Sequence, residues 1–129
     1  YLKEPRLAAT LSHPRLVRVF DAGETEDFIY IVSEFIEGPT LSALLKTRRV
    51  TWQEACRWTA EIAEGLHAAH LQGLIHRDVK PGNVLMQQGE TPYVTDFGLA
   101  IRYDDAGREG GSISGTPLYL SPEVAAGEG

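Results

Sequence analysis

The sequence predicts an α+β fold, and three observations carry that prediction. Two β-type runs, Val17 to Phe20 and Phe28 to Phe35, flank a polar stretch and read as an antiparallel hairpin. A long stripe of apolar residues then starts at Thr51 and recurs at three- and four-residue steps, as in a helix buried along one face. Two short β-type runs, Val84 to Met86 and Tyr93 to Thr95, follow around Gly89.

In chain order, Leu2, Leu7, Ala8 and Leu11 have helical spacing, interrupted by Pro5. Proline is tolerated in a first helical turn, which places a helix start near Glu4. His13-Pro14 ends that helix, because a residue before proline disfavours helical geometry. The polar run from Asp21 to Asp27 is the expected hairpin turn. Glu37-Gly38-Pro39 breaks the strand pattern, and a short helix from Thr40 to Lys46 follows. Thr51-Trp52-Gln53-Glu54 is a capping box that opens the long helix. Its buried stripe is expected to comprise Trp52, Ala55, Cys56, Thr59, Ile62, Ala63, Leu66, Ala69 and His70. Gly73 is a natural C-terminal stop. Beyond Gly98 the glycines, serines and acidic residues read as loop, and the chain has no internal repeat.

With 129 residues and 43% apolar content, the chain has the makings of a globular core. A net charge of −6 gives no sign of a nucleic-acid partner. There is no apolar run of membrane-spanning length and no signal-peptide pattern. Cys56 is the only cysteine, so no internal disulfide can form; a reducing, cytoplasmic setting and a buried thiol are expected. A membrane anchor elsewhere in the parent protein is left open. The sequence starts without methionine and stops at Ala125-Ala126-Gly127-Glu128-Gly129 without a closing element, so it reads as an excerpt of a longer domain. His67 and His70 share a helix face, but no cysteine or acidic pair completes a zinc site.

The chemistry concentrates in one loop. Residues 76 to 83 read His-Arg-Asp-Val-Lys-Pro-Gly-Asn, and Asp96-Phe97-Gly98 follows. Moving a phosphoryl group needs a positioned acceptor hydroxyl and cations to offset phosphate charge. Asp78 can accept the hydroxyl proton, and Lys80 supplies a mobile positive charge. Asn83 and Asp96 offer hard oxygen ligands of the kind magnesium takes, one or two from protein with phosphates and water completing the shell.

In this wording the chain resembles the eukaryotic-type serine/threonine protein kinases, most closely their bacterial members, from Glu4 to Glu123. The resemblance covers about half of a complete kinase domain. It implies a two-lobe fold, with residues 1–37 as the end of the small lobe and hinge, and 38–129 as the start of the large lobe. It implies ATP and Mg2+ as cofactors. By the same resemblance Asp78 is the catalytic aspartate, Lys80 the phosphate-contacting lysine, and Asn83 and Asp96 the magnesium ligands. His76 and Phe97 would stack to order the site, and Arg77 would pair with a phosphorylated activation segment.

The other landmarks follow the family order. Glu4 matches the regulatory-helix glutamate that pairs with the ATP-contacting lysine, or it is a solvated helix charge. Glu34, Phe35 and Ile36 match the hinge whose backbone bonds adenine, with Ser33 as gatekeeper and Leu85 as the floor under the ring. Gly115 to Glu123 resembles the end of the activation segment, with Ser-Pro-Glu for the commoner Ala-Pro-Glu. Thr116 would bond the catalytic aspartate and lysine, which with Lys80 points to serine or threonine acceptors. Ser112 and Ser114 are candidate regulatory phosphosites, or a glycine–serine loop.

The resemblance therefore implies protein substrates with Ser/Thr acceptors and allows autophosphorylation, while charge and apolar patterning give no nucleic acid and no membrane segment in this chain. A pseudokinase or regulatory binding module is the alternative, and a small-molecule kinase of related fold a third. The ATP-contacting lysine and glycine-rich loop would lie before Tyr1, so the isolated chain is expected to bind nucleotide weakly and turn over poorly.

Overall fold

The computed structural model describes residues 11–97, 101–102 and 116–127. Glu4, Pro5, Ser112 and Ser114 lie outside the described residues.

The first hairpin pairs β1 (Val19–Glu24) with β2 (Ile29–Ser33) in antiparallel register. Expectation and structure differ over the first strand. Asp21 to Glu24, read as turn, continue the ladder opposite Ile29 to Val32, and a bulge between Val19 and Asp21 absorbs Phe20. Backbone pairing needs no apolar side chain, so the polar sequence concealed a strand. The turn shrinks to residues 25–28, where the Thr25 hydroxyl accepts the Phe28 N–H at 3.1 Å. Val17 lies outside the hairpin, and its N–H donates to the Val94 carbonyl at 2.9 Å.

Helix α1 (Leu41–Thr47) is capped by Thr40, whose hydroxyl accepts the Ala43 N–H at 3.1 Å. Gly38 precedes it at φ +154°, and a Cβ there would collide with the Met86 carbonyl oxygen. Only glycine lets the chain pass so close to the second hairpin. The crossing is then fixed by Met86 N–H to Pro39 O at 2.8 Å and Gln88 N–H to Glu37 O at 2.9 Å.

The long helix α2 (Trp52–Leu71) forms the expected capping box between Thr51 and Glu54. Its end is also as expected: Gly73 has φ +75°, and its N–H returns to the His70 carbonyl at 2.9 Å. The buried face, however, is rotated from the expected stripe, with which it shares Ile62, Leu66 and Ala69. Trp52 is 73% exposed, and Ala55, Cys56, Thr59, Ala63 and His70 are also exposed. The covered positions are Trp58, Gly65 and Ala69, with Ile62 and Leu66 partly buried. Trp58 explains the rotation. Its indole N–H donates to the Glu90 carbonyl at 2.9 Å, and Arg48 lies 5.6 Å above its ring. A buried indole with its polar atom satisfied outweighs several small side chains.

After α2 come β3 (Leu74–Ile75), a 3₁₀ turn at Pro81–Asn83, β4 (Val84–Gln87) and β5 (Thr91–Val94). The second hairpin, β4–β5, turns through Gln88 and Gly89, both with positive φ. β3 pairs with β6 (Ile101–Arg102). A 3₁₀ turn at Pro117–Tyr119 and the short helix α3 (Pro122–Ala125) close the described chain.

Two apolar clusters meet along α2. One gathers Leu11, Leu16, Ala69, Leu74, Val94 and Phe97. The other gathers Leu44, Trp58, Val84 and Met86, and Ile62 packs against both. The second hairpin is thus seated on α2, with the loop 76–83 suspended between β3 and β4. No helix among the described residues is long and apolar enough to cross a membrane.

Candidate active site

Residues 76–83 are held open by backbone geometry as well as by side chains. Arg77 and Asp96 both adopt positive φ, +69° and +63°. Such conformations cost of order 1–3 kcal/mol at a residue other than glycine and are sustained only by their surroundings.

His76 supplies part of that support. It is 1% exposed and packs against Phe97 with ring centroids 4.5 Å apart, the planes tilted by 59° and not stacked as expected. Its Nδ1 accepts the Asp78 N–H at 3.1 Å, so in the neutral ring the proton sits on Nε2. That N–H donates to the Thr95 carbonyl at 2.8 Å. Burial pushes the His76 pKa down, against the opposing pull of the Thr95 hydrogen bond and of Asp96 and Asp78. A neutral imidazole therefore joins the loop before β4 to the strand end that carries Asp96.

Asp78 is the centre of the polar cluster. Its Oδ1 accepts the Thr116 hydroxyl at 2.7 Å and the Thr116 N–H at 3.0 Å. Oδ2 accepts from Asn83 Nδ2 at 3.2 Å and lies 3.4 Å from Lys80 Nζ. Lys80 also donates to the Thr116 hydroxyl oxygen at 2.6 Å. Desolvation pushes the Asp78 carboxyl up, but the bonds from Thr116 and Lys80 together outweigh it and hold its pKa below the usual value. The carboxylate is thus ionised at neutral pH, with Oδ2 the more loosely engaged oxygen.

Asn83 is buried, and its Nδ2 donates to the Asp78 backbone carbonyl at 2.8 Å. With the amide nitrogen turned inward, its carbonyl oxygen is the end available to a cation. The Asn83 backbone carbonyl accepts the Thr95 N–H at 3.0 Å, so Asn83 and the approach to Asp96 are coupled. Asp96 itself is exposed. Among the described residues no group of three or more His, Cys, Asp or Glu gathers to hold a metal ion. An amide and a carboxylate oxygen fit magnesium, which dehydrates reluctantly and shares its shell with phosphates and water, better than zinc.

The structure thus brings together Asp78, Lys80, Asn83 and Thr116, and ties Asp96 to them through Thr95. Arg77 is half-buried beside Asp78 in sequence. At the expected hinge, Glu34 is exposed with its N–H committed to the Arg18 carbonyl at 2.8 Å, Phe35 is 86% exposed, and Ile36 is buried. Leu85 is half-buried and bridges to Thr40. Sequence reasoning missed the Thr95 carbonyl, since a backbone acceptor has no signature in side-chain identity.

The model of the protein kinase domain family matches residues 1–129. The chain belongs to the protein kinase domain family. It is 39% identical over 129 residues to a probable serine/threonine-protein kinase of Clostridium perfringens, covering 98% of this chain and 19% of that protein. With the serine/threonine-protein kinase PknB of Mycolicibacterium smegmatis it shares 37% over 136 residues, 99% of this chain and 22% of that protein. With the serine/threonine-protein kinase pkn2 of Myxococcus xanthus it shares 40% over 134 residues, 98% of this chain and 16% of that protein. The chain therefore spans about a fifth of the length of these curated relatives. The first hairpin and the helical region after it are part of the two-lobed kinase fold.

Proposed function

We propose that the intact protein carrying this chain transfers the terminal phosphoryl group of ATP to serine or threonine hydroxyls of proteins. The observation that carries this reading is the Asp78 carboxylate, kept ionised and oriented by Thr116 and Lys80. Asp78 Oδ2 orients the acceptor hydroxyl and takes its proton as that oxygen bonds to the terminal phosphorus, while the bond from this phosphorus to its bridging oxygen breaks and ADP leaves with the electron pair. Lys80 sits where it can offset charge on the transferred group. Asn83 and Asp96 would hold magnesium, and magnesium–ATP supplies the phosphoryl group and neutralises charge on its phosphates. Residues 1–37 and 38–129 serve as small-lobe and large-lobe segments, and the backbone of Glu34 to Ile36 with Leu85 frames adenine. Glu4 would pair with an ATP-contacting lysine, and Arg77 with phosphorylated Ser112 or Ser114 after autophosphorylation. The domain works in the cytoplasm.

Asp78 and Asp96, the loss of either of which would favour a non-catalytic module, are both present here. The test is transfer of labelled phosphate from ATP to a generic basic protein by the full-length protein, followed by identification of the modified residue. Label on phosphoserine or phosphothreonine is expected. Nucleotide binding without transfer would favour a regulatory binding module, and label on tyrosine would overturn the acceptor class.

A further inference from the structure

Arg15 makes more contacts with distant parts of the chain than its place in a loop requires. Its carbonyl accepts the Val94 N–H at 2.7 Å, and the Val17 N–H donates to the Val94 carbonyl at 2.9 Å. Residues 15–17 therefore form an isolated parallel bridge, Leu16 to Val94, against the end of β5, two residues before Asp96. The guanidinium is held twice: Nη1 lies 3.5 Å from Glu61 Oε2 on α2, and its carbon lies 5.1 Å over the Tyr93 ring. The close approach is built into α2 as well. A Cβ at Gly65 would stand 3.1 Å from both Arg15 Cβ and Leu16 Cδ2.

Three residues on, the same segment grips the expected hinge. Glu34 N–H donates to the Arg18 carbonyl at 2.8 Å, and Glu34 Oε2 lies 3.5 Å from the Arg18 nitrogen. One short stretch thus joins Glu34 to β5, which ends two residues before Asp96. Those two points lie on opposite sides of the nucleotide in the function proposed above.

We propose that Arg15 is a positioning residue: clamped by Glu61 and Tyr93, it fixes the hinge segment relative to Asp96 and so sets nucleotide affinity. The inference rests on the kinase reading for its ligand and on geometry for its mechanism. With the clamp intact, both sides of the site are prearranged. Without it only the main-chain bonds at Arg15, Val17 and Arg18 hold the segment, the binding-competent arrangement is less populated, and apparent affinity falls by that fraction. Chemistry after binding is unaffected, because Arg15 touches neither Asp78 nor the reacting atoms. Glu61 is not orphaned by loss of Arg15, since Arg57 Nε lies 4.0 Å from its Oε1.

The experiment uses the full-length protein with Arg15→Ala, Glu61→Gln and Arg15→Lys. It measures Kd for a fluorescent ATP analogue with Mg2+, together with KM for ATP and kcat. Arg15→Ala should raise Kd and KM about three- to tenfold while kcat stays within about twofold. Glu61→Gln should move both the same way by less. Arg15→Lys, which keeps the charge against Glu61 and Tyr93, should restore both to within about twofold of wild type. Unchanged Kd and KM in Arg15→Ala, or a fall in kcat alone, would overturn the clamp. Asp78→Asn run in parallel separates the two proposals. Asp78-dependent transfer with a Kd indifferent to Arg15 sinks the clamp alone, whereas a Kd that responds to Arg15 without any transfer sinks the catalytic reading alone.

Discussion

His76 bonds the Thr95 carbonyl through Nε2 at 2.8 Å while its Nδ1 receives the Asp78 N–H at 3.1 Å. One buried ring thereby fixes the separation between the loop carrying Asp78 and the strand end carrying Asp96. The geometry works only for the neutral ring, because a protonated Nδ1 has no lone pair for the Asp78 N–H.

This gives a pH prediction with a definite sign. The folded-state pKa of His76 lies below its ordinary value of about 6.5. The unfolded chain therefore binds the proton first as pH falls, and His76 favours folding fully above about pH 6.5. Stability should decline below that pH until the folded-state pKa is reached. The slope contributed by one proton is at most about 1.4 kcal/mol per pH unit. Urea unfolding at a series of pH values should show this decline in wild type and a flatter profile in His76→Phe. Parallel profiles would contradict the assignment.

Thr116 acts on Asp78 through a hydroxyl that donates to Oδ1 at 2.7 Å and accepts from Lys80 at 2.6 Å. Thr116→Val keeps the shape and the backbone N–H bond but removes both side-chain bonds. Hydrogen bonds to charged groups contribute about 1.5–3 kcal/mol, so kcat should fall about 10- to 100-fold. The acid limb of the rate profile should move to higher pH, because a bond that lowers the Asp78 pKa has gone. Thr116→Ser should retain most of the rate. A valine variant with wild-type kcat would remove Thr116 from the account.

The catalytic loop was legible because its chemistry is contiguous: Asp78, Lys80 and Asn83 lie within six residues, and their types admit few other uses. The ends of α2 were legible for a similar reason, since Thr51 and Glu54 act on the backbone beside them. What escaped was anything decided by distant partners. Periodicity marked α2 as a helix, but which face is covered depended on Glu90 and Arg48 meeting Trp58. Cys56 was accordingly expected inside and is exposed. The β1 extension through Asp21 escaped because ladder bonds are blind to side-chain polarity. Arg15 gave no signal at all, its side-chain partners lying 46 residues and more along the chain.

The cap of α2 offers a stability test away from the active site. Glu54 accepts from Arg48 and from the Thr51 backbone, and these bonds lower its pKa to about 2. That contribution is present above the unfolded carboxylate value of about 4.3 and is lost as pH falls from there towards about 2. Thr51→Ala should cost about 1 kcal/mol at neutral pH by urea unfolding. A change below about 0.3 kcal/mol would mean that the cap is dispensable.

Gly38 should tolerate no side chain. Its φ of +154° and the nearby Met86 carbonyl leave no room for a Cβ. Gly38→Ala is expected to cost about 2 kcal/mol or more and to weaken nucleotide binding, by displacing the hinge from the second hairpin. A fully stable alanine variant would show that the crossing is looser than the structure has it.

The central claim is that Asp78 accepts the proton of the attacking hydroxyl. It is tested most directly by phosphate transfer from ATP in the full-length protein with Asp78→Asn, a near-isosteric change that replaces the basic oxygen with an amide nitrogen. The account predicts kcat lowered about 100-fold or more, with the Kd for magnesium–ATP within about twofold of wild type. An Asp78→Asn protein that transfers phosphate at the wild-type rate would contradict it.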